Sequence, residues 1–421
     1  MKSLLKSILV AILGNQVRRL RARRNPKIVG VVGSIGKTST KLAIAKVLSS
    51  HYRVRYQEGN YNDIVSVPLV FFGHPMPKLW NIFGWLKIFF LNEFQILFQY
   101  PFDFVVVELG TDAPGQIALF RKYLNLDVAV ITAVTPEHME FFDTLEKVAE
   151  EEWSVSFFSK QVFANRDLVE IVPDQVDHQK IVFYGKNPGS YYKIDNLQKR
   201  ADNFEFNLFA QGKEILNLSL ATVSEVAVYS AAIAAILALQ FKIAPEKIKK
   251  SVGELQPFAG RMQKLLGKKG SIIIDDTYNA SPESMKIALT TLYAQEATER
   301  IAILGMMNEL GTISKREHEK VGALCDPKLL DLVVTIGRDA NEYLAKAAEA
   351  RGCQVYRALN SKDAGEFVKE KIKNGAVILA KGSQNGVFAE EAVKVLLKDR
   401  ADIRRLVRQD RDWLSKKSID F

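Results

Sequence analysis

The feature that most constrains this chain is the run Gly33-Ser34-Ile35-Gly36-Lys37-Thr38-Ser39, set between the apolar segment 27–33 and the helical pattern of 41–48. Glycines there let backbone N–H groups turn toward phosphate oxygens, and a helix N-terminus adds positive potential. Lys37 is placed to reach terminal phosphates and Thr38 to ligate Mg²⁺. The general pattern puts a glycine five residues before Gly36, where Val31 stands, so this is a shortened loop with its glycine three before. A strand feeding such a loop and then a helix requires an α/β fold.

The rest of the sequence agrees. Apolar runs at 27–33, 104–109 and 127–134 read as buried parallel strands, and a second series follows at 271–275, 301–304, 332–336 and 376–379. Each run precedes a helical pattern, so the α/β signature occurs twice. Between the series lie a polar segment of shorter strands (181–220) and an Ala-rich helix (224–241), and Gln256-Pro257-Phe258-Ala259-Gly260 reads as a joint. The expected partition is a basic, apolar N-terminal segment (1–27), an ATP-binding central domain with a parallel sheet (28–258) and a Rossmann-like C-terminal domain (259–421). A length of 421 residues suits two or three domains. Apolar residues at 48% and charged residues at 25% exclude wholesale disorder and collagen-like repeats. Cys325 and Cys353 alone make neither a disulfide framework nor a zinc cluster, and such sparse cysteine suits the reducing cytoplasm.

Of the net charge of +10, eight charges fall in residues 1–27, which contain no acid. A nearly neutral body argues against a nucleic-acid groove and for a local anionic partner. Residues 4–13 are apolar but for Lys6 and too short for a bilayer span, which needs about 20 residues. Followed by an arginine cluster, they read either as a helix on an anionic membrane surface, at the inner face of the membrane, or as a helix packed on the domain behind. Residues 79–102 are rich in Trp, Phe and Leu, with Lys87, Asn92 and Glu93 interrupting. That segment is a buried helix, a lid, or an exposed patch that docks to lipid or a partner.

Further motifs accompany the phosphate loop. They are Gly59-Asn60-Tyr61-Asn62 with Val67-Pro68-Leu69, Glu108-Leu109-Gly110 through Pro114-Gly115, Pro136-Glu137-His138-Met139-Glu140, and Gly260-Arg261. Asp275-Asp276-Thr277-Tyr278-Asn279-Ala280-Ser281-Pro282, Gly305 with Glu309-Leu310-Gly311, and Lys381-Gly382-Ser383 complete the set. In this order, from about Lys27 to about Leu397, they resemble the Mur ligase family of ATP-dependent amide ligases. The 275–282 stretch is most similar to the branch that adds D-alanyl-D-alanine to a peptidoglycan precursor.

The resemblance implies a reaction in which ATP phosphorylates a carboxylate and an amine displaces phosphate from the acyl phosphate. It implies that Gly33, Ser34, Gly36, Lys37, Thr38 and Ser39 hold the phosphates, that Thr38 holds one Mg²⁺, Glu108 a metal and His138 the second Mg²⁺, and that Arg261 and Asp276 meet the nucleotide. Asn62, Asn279, Lys381 and Ser383 then line the substrate side. The family's carbamylated lysine falls 14 residues after the metal-binding histidine, which is Glu152 here. A glutamate offers a similar two-oxygen anion, although three successive glutamates also suit a solvated helix face.

The pattern departs elsewhere. The family's uridine-binding domain precedes the phosphate loop, whereas these residues are basic and apolar, so the precursor is expected to be gripped differently, by another chain or at a membrane. The polar adenine contact before the Ala-rich helix reads Ser224-Glu225-Val226-Ala227-Val228, and Gly-Asp-Met has become Gly305-Met306-Met307. Two alternatives stay open: a folylpolyglutamate synthase-like ligase, and a non-catalytic, membrane-associated ATP-binding scaffold.

Overall fold

The computed structural model describes residues 2–57, 59, 61–200 and 203–418. Asn60 of the asparagine-rich motif lies outside the described residues. The chain divides into two compact units, one comprising residues up to Thr135, Phe141–Ala221 and Val226–Leu255. The other comprises Pro136–Glu140, Thr222–Glu225 and the residues from Gln256 on.

The first unit is built on a nine-stranded sheet in the order β2-β3-β1-β4-β5-β6-β7-β8-β9. Its strands are β1 (Lys27–Val32), β2 (Val54–Arg55), β3 (Phe104–Glu108), β4 (Leu126–Ile131), β5 (Ser159–Asn165), β6 (Ile181–Gly185), β7 (Tyr192–Arg200), β8 (Asn203–Ala210) and β9 (Lys213–Ala221). The β1, β3 and β4 pairings are parallel, and Ile28, Val29, Val31 and Val32 are buried on both faces. That double burial is why these strands read as unbroken apolar runs. The segment 181–220 departs from the short strands expected there: β7, β8 and β9 form an antiparallel meander of nine, eight and nine residues. Only alternate side chains of β8 and β9 face the core, and that diluted their apolar signal. The Ala-rich helix, Glu225–Gln240, is buried continuously from Val228 to Ala238 in the core beside β1, β3 and β4. A helix apolar on all sides has no other stable place.

The N-terminal helix, Lys2–Arg24, is part of this unit and packs on the aromatic helix Ile82–Leu97. Leu9, Leu13, Gln16, Val17 and Leu20 recur at helical spacing and are buried. Gln16 donates to the Phe89 carbonyl at 3.0 Å and accepts from Asn92 at 2.7 Å. Arg19 pairs with Glu93 and Arg21 with Asp127, both at 2.7 Å, while Arg24 donates to the Leu97 carbonyl at 2.8 Å. Three of the clustered arginines are therefore spent within the unit. Among the described residues, no helix is long and apolar enough to cross a membrane.

The second unit has a six-stranded sheet in the order β10-β11-β15-β12-β13-β14. Its strands are β10 (Gln263–Leu266), β11 (Ile272–Asp276), β12 (Arg300–Gly305), β13 (Leu332–Ile336), β14 (Val355–Ala358) and β15 (Val377–Lys381). All pairings are parallel except that of β10 with β11. β15 lies between β11 and β12, so the chain reverses its winding there. Ligands of open α/β sheets bind beyond the carboxyl ends of strands at such switch points. In the first sheet the equivalent point lies at β1, between β3 and β4.

Leu13→Ala should lower the stability of the first unit by about 2–5 kcal/mol, the usual cost of a buried cavity. Urea denaturation followed by tryptophan fluorescence measures it.

Candidate active site

In the first unit the phosphate loop leaves the carboxyl end of β1 and enters the helix Lys37–Leu48. Gly33 sits at φ +123°, and a Cβ there would lie 2.3 Å from Thr132 Oγ1 and 2.8 Å from the Ala133 nitrogen. Gly36 sits at φ +83°, with nothing within 4 Å of the position a Cβ would take. The first glycine is thus required by close packing against the end of β4, and the second by backbone conformation beside open space. Ser34 turns inward: its hydroxyl is 2.8 Å from Thr135 Oγ1 and accepts from the Thr135 N–H at 2.8 Å. Lys37 Nζ donates to the Gly33 carbonyl within the loop. Thr38 and Ser39 occupy the first turn of the helix, and Thr40 bonds Ser230 of the Ala-rich helix at 2.9 Å.

Glu108 ends β3 and is 5% exposed. Its Oε2 makes no hydrogen bond and faces the buried Lys41 ammonium at 3.3 Å. Lys41 lies one turn beyond Lys37, so the loop's own helix supplies the countercharge. An acceptor with that little satisfaction fits a divalent cation held jointly with phosphate oxygens, since Mg²⁺ takes one or two carboxylates and fills its shell from substrate and water. Among the described residues no group of three or more His, Cys, Asp or Glu side chains is placed to hold a metal on its own.

Beyond Glu108, Gly110 donates to the Asn62 carbonyl at 2.8 Å. Glu151 accepts from the Gly115 and Ile117 N–H groups at 2.6 Å and from the Thr111 hydroxyl at 3.0 Å. Glu151 and Glu152 on the helix Leu145–Trp153 are buried, whereas Glu150 is exposed. Two of the three consecutive glutamates are therefore interior groups and not a solvated face.

In the second unit, His138 adopts φ +51° and Glu309 φ +63°. His138 Nδ1 is 2.6 Å from Glu309 Oε2, and the Glu140 N–H donates to the Glu309 carbonyl at 3.2 Å. The bond from His138 holds the Glu309 carboxyl below its ordinary range. Glu309 stands on Nδ1, the side an outer-shell carboxylate takes on a ligating histidine, while Glu137 Oε1 lies 3.7 Å from Nε2.

At the switch point of the second sheet, Asp276 pairs with Lys381 at 2.6 Å, and Lys381 donates to the Asn279 carbonyl at 2.8 Å. Burial lowers the Lys381 ammonium against the pull of Asp276. Asp275 accepts from the Thr277 hydroxyl at 2.6 Å, and burial raises its carboxyl to about 6. Ser383 Oγ accepts from the Asn308 N–H at 2.9 Å. The Arg261 guanidinium lies 4.1 Å over the Tyr278 ring. A pocket of about 390 Å³ beside Glu309 is lined by Asn308, Ser314, Arg338 and Asp339 among others.

The residues singled out in the sequence thus fall into two sets. The phosphate loop, Asn62, Glu108 and Glu152 belong to the first unit, and His138, Arg261, Asp276, Asn279, Lys381 and Ser383 to the second. Residues 93–238 match the Mur ligase middle domain, and residues 260–384 match the Mur ligase glutamate ligase domain. The chain belongs to the Mur ligase family. It is 29% identical over 379 residues to the UDP-N-acetylmuramoyl-tripeptide–D-alanyl-D-alanine ligase of Bacillus subtilis, covering 88% of this chain and 76% of that protein. It is 27% identical to the ligase of the same name from Synechocystis, over 90% of this chain and 76% of that one. The crystal structure of MurF from Acinetobacter baumannii has a TM-score of 0.71 at 24% identity, covering 93% of this chain and 79% of that chain. A Mycobacterium tuberculosis folylpolyglutamate synthase shares the fold, with a TM-score of 0.64 at 16% identity over 93% of this chain and 94% of that one.

Several supports of this Mur ligase site were not singled out from the sequence. Lys41 and Glu151 gave no local signal, because their partners lie 67 and 34–40 residues away respectively. Arg408 chelates Glu390 at 2.6–2.8 Å and donates to the Thr277 and Tyr278 carbonyls, holding the loop after β11. His318 is fully buried, accepts from the Met307 N–H at 3.0 Å through Nε2, and so donates through Nδ1 to the Ser314 carbonyl at 2.8 Å.

Burial lowers the His318 imidazole below its ordinary value, although Asp339 and Glu317 pull the other way. A depressed imidazole contributes its full stability above the unfolded value of about 6.5, and that contribution is lost as pH falls toward the folded value. Asp275, raised to about 6, works in the opposite sense and favours lower pH. His318→Asn should therefore lower the melting temperature at pH 7, with the gap to wild type narrowing as pH drops from 6.5 to 5. Calorimetry across that range checks it.

Proposed function

We propose that the chain is an ATP-dependent, ADP-forming ligase that joins a peptidoglycan-precursor carboxylate to D-alanyl-D-alanine or a similar amine in the cytoplasm. The observation that carries this reading is the buried Glu108 oxygen, with no hydrogen bond, on the Lys41 side of an intact phosphate loop. Lys41 balances its charge, and the oxygen's unmet hydrogen-bonding capacity leaves it open to a second, divalent cation. The choice of substrates rests on the sequence relatives, which are named as UDP-N-acetylmuramoyl-tripeptide–D-alanyl-D-alanine ligases.

On this reading Lys37 exchanges the Gly33 carbonyl for phosphate oxygens, and the loop N–H groups bind the phosphates. Thr38 and Glu108 would hold one Mg²⁺ in the first unit, and His138 would offer Nε2 to a second Mg²⁺. When bound, Mg²⁺ neutralises charge on the transferring phosphoryl group. The γ-phosphoryl group passes to a carboxylate oxygen of the precursor and ADP leaves. The amine nitrogen then attacks the acyl carbon, the C–O bond to phosphate breaks, and the amide forms as the nitrogen loses its proton. Glu152 stands in for the carbamylated lysine as an anionic anchor. Asp276 and Arg261 face the nucleotide, while Asn62, Asn279 and Ser383 face the substrates. Lys381, buried between Asp276 and the Asn279 carbonyl, positions that loop. The pocket beside Glu309 offers Arg338 and Asp339, charges that match the two ends of a zwitterionic amine.

Phosphate release from ATP and Mg²⁺ is expected only when UDP-muramoyl-tripeptide and D-alanyl-D-alanine are both present. Release with neither, or no release with both, overturns the reading. Lys37→Ala and Glu108→Gln should each lower kcat by about 10²-fold or more, the scale for losing one electrostatic stabiliser. Glu152→Lys should keep partial activity that rises with bicarbonate, and full activity in Glu152→Ala would remove its assigned role.

A further inference from the structure

The aromatic helix Ile82–Leu97 buries Trp85, Ile88, Asn92 and Ile96 and turns the opposite stripe to solvent. Phe83, Leu86, Phe90, Phe94 and Leu97 recur along that stripe, with Phe83 86% and Phe90 72% exposed. Trp80 and Phe98 extend it at either end, at 60% and 68% exposed. On the N-terminal helix packed beside it, Leu4, Ile8 and Ile12 are also exposed. Isolated exposed apolar residues are ordinary, but a continuous aromatic stripe of this length marks a docking surface.

The charges around it identify the occupant. Segments 1–27 and 74–102 hold ten lysines and arginines against one acid, Glu93. Arg19, Arg21 and Arg24 are each engaged by partners within the unit, and Glu93 is itself paired with Arg19. Lys6, Lys78, Lys87 and Lys122 are exposed. Next to Trp80 the N-terminal helix borders a groove of about 1410 Å³. Its floor includes Val10, Leu79 and Tyr123, its rim carries Lys6, Arg18, Lys78 and Lys122, and no acid lines it. A second copy docking through the same face would set cations against cations, which an isologous interface disfavours. An apolar floor under a cationic rim, bordered by Trp and Phe, matches acyl chains below anionic headgroups.

We propose that this face of the first unit docks onto the interfacial region of an anionic phospholipid bilayer, with the stripe entering the headgroup–acyl boundary and Lys6, Lys78 and Lys122 meeting lipid phosphates. The contact belongs chiefly to residues 78–98 and the outer side of the N-terminal helix. The arginine cluster serves to clamp that helix to the protein. Docking of this kind lies on the bilayer and does not span it, and it is independent of the ligase reading.

The test is flotation of the full chain with phosphatidylcholine vesicles, with and without phosphatidylglycerol. Binding is expected only with phosphatidylglycerol, is released by high salt, and is accompanied by a blue shift in emission that Trp80→Phe removes. Phe83→Ser combined with Phe90→Ser should weaken vesicle binding at least about tenfold. Lys78→Glu combined with Lys122→Glu should abolish the preference for anionic vesicles. Because these side chains are exposed, all variants should keep the wild-type melting temperature, which separates lost docking from lost folding. Three results would overturn the proposal: no binding to either vesicle, equal binding to both, or wild-type binding by the folded double-serine variant. A dimer in sedimentation velocity that the same serine substitutions dissolve would assign the face to a second copy instead.

Discussion

A carboxylate at the end of an otherwise apolar strand is the constraint on which the first unit depends. Glu108 is kept inside by one cation, Lys41, which comes from the helix that the phosphate loop opens. Coulomb attraction repays the desolvation of such a pair only when geometry is tightly held. The surroundings supply that hold. Asn62 grips Gly110 through the backbone, Glu151 secures Gly115 and Ile117, and Ser34 ties the loop to Thr135. Strand, loop and acidic helix therefore form one polar assembly around the buried Glu108–Lys41 pair.

The second unit is organised differently. Its loops gather where β15 lies between β11 and β12, and a buried group braces each. Lys381 fixes Asn279, Ser383 fixes Asn308, and His318 fixes Met307. Side chains at the ends of rigid strands, locked by such bonds, are pre-organised. Gly305 belongs to the same economy of space, since a Cβ there would lie 2.4 Å from Val387 and 3.0 Å from the Gly382 Cα.

The doubly occurring α/β pattern was legible because parallel strands buried on both faces leave unbroken apolar runs, and β13 falls on the residues its run indicates. The phosphate loop was legible because its chemistry is local. What escaped was long-range. The consecutive glutamates at 150–152 look alike in sequence, and only the helix in its place shows that 151 and 152 turn inward. The arginines at 19, 21 and 24 look like a solvated cluster until Glu93, Asp127 and the Leu97 carbonyl arrive from elsewhere in the chain. The meander β7–β9 was underestimated because half of its residues face water.

The clasp formed by Arg408 has a temporal side. The carbonyls it holds, at Thr277 and Tyr278, precede it by 131 and 130 residues, and its partner Glu390 is also held by Lys417 at 2.7 Å. During synthesis those carbonyls leave the ribosome long before their clasp exists. Chains translated at about 5–20 residues per second wait many seconds for it. The loop carrying Asn279 therefore sets late, and a nascent chain completes its first sheet well before the second unit can secure that loop.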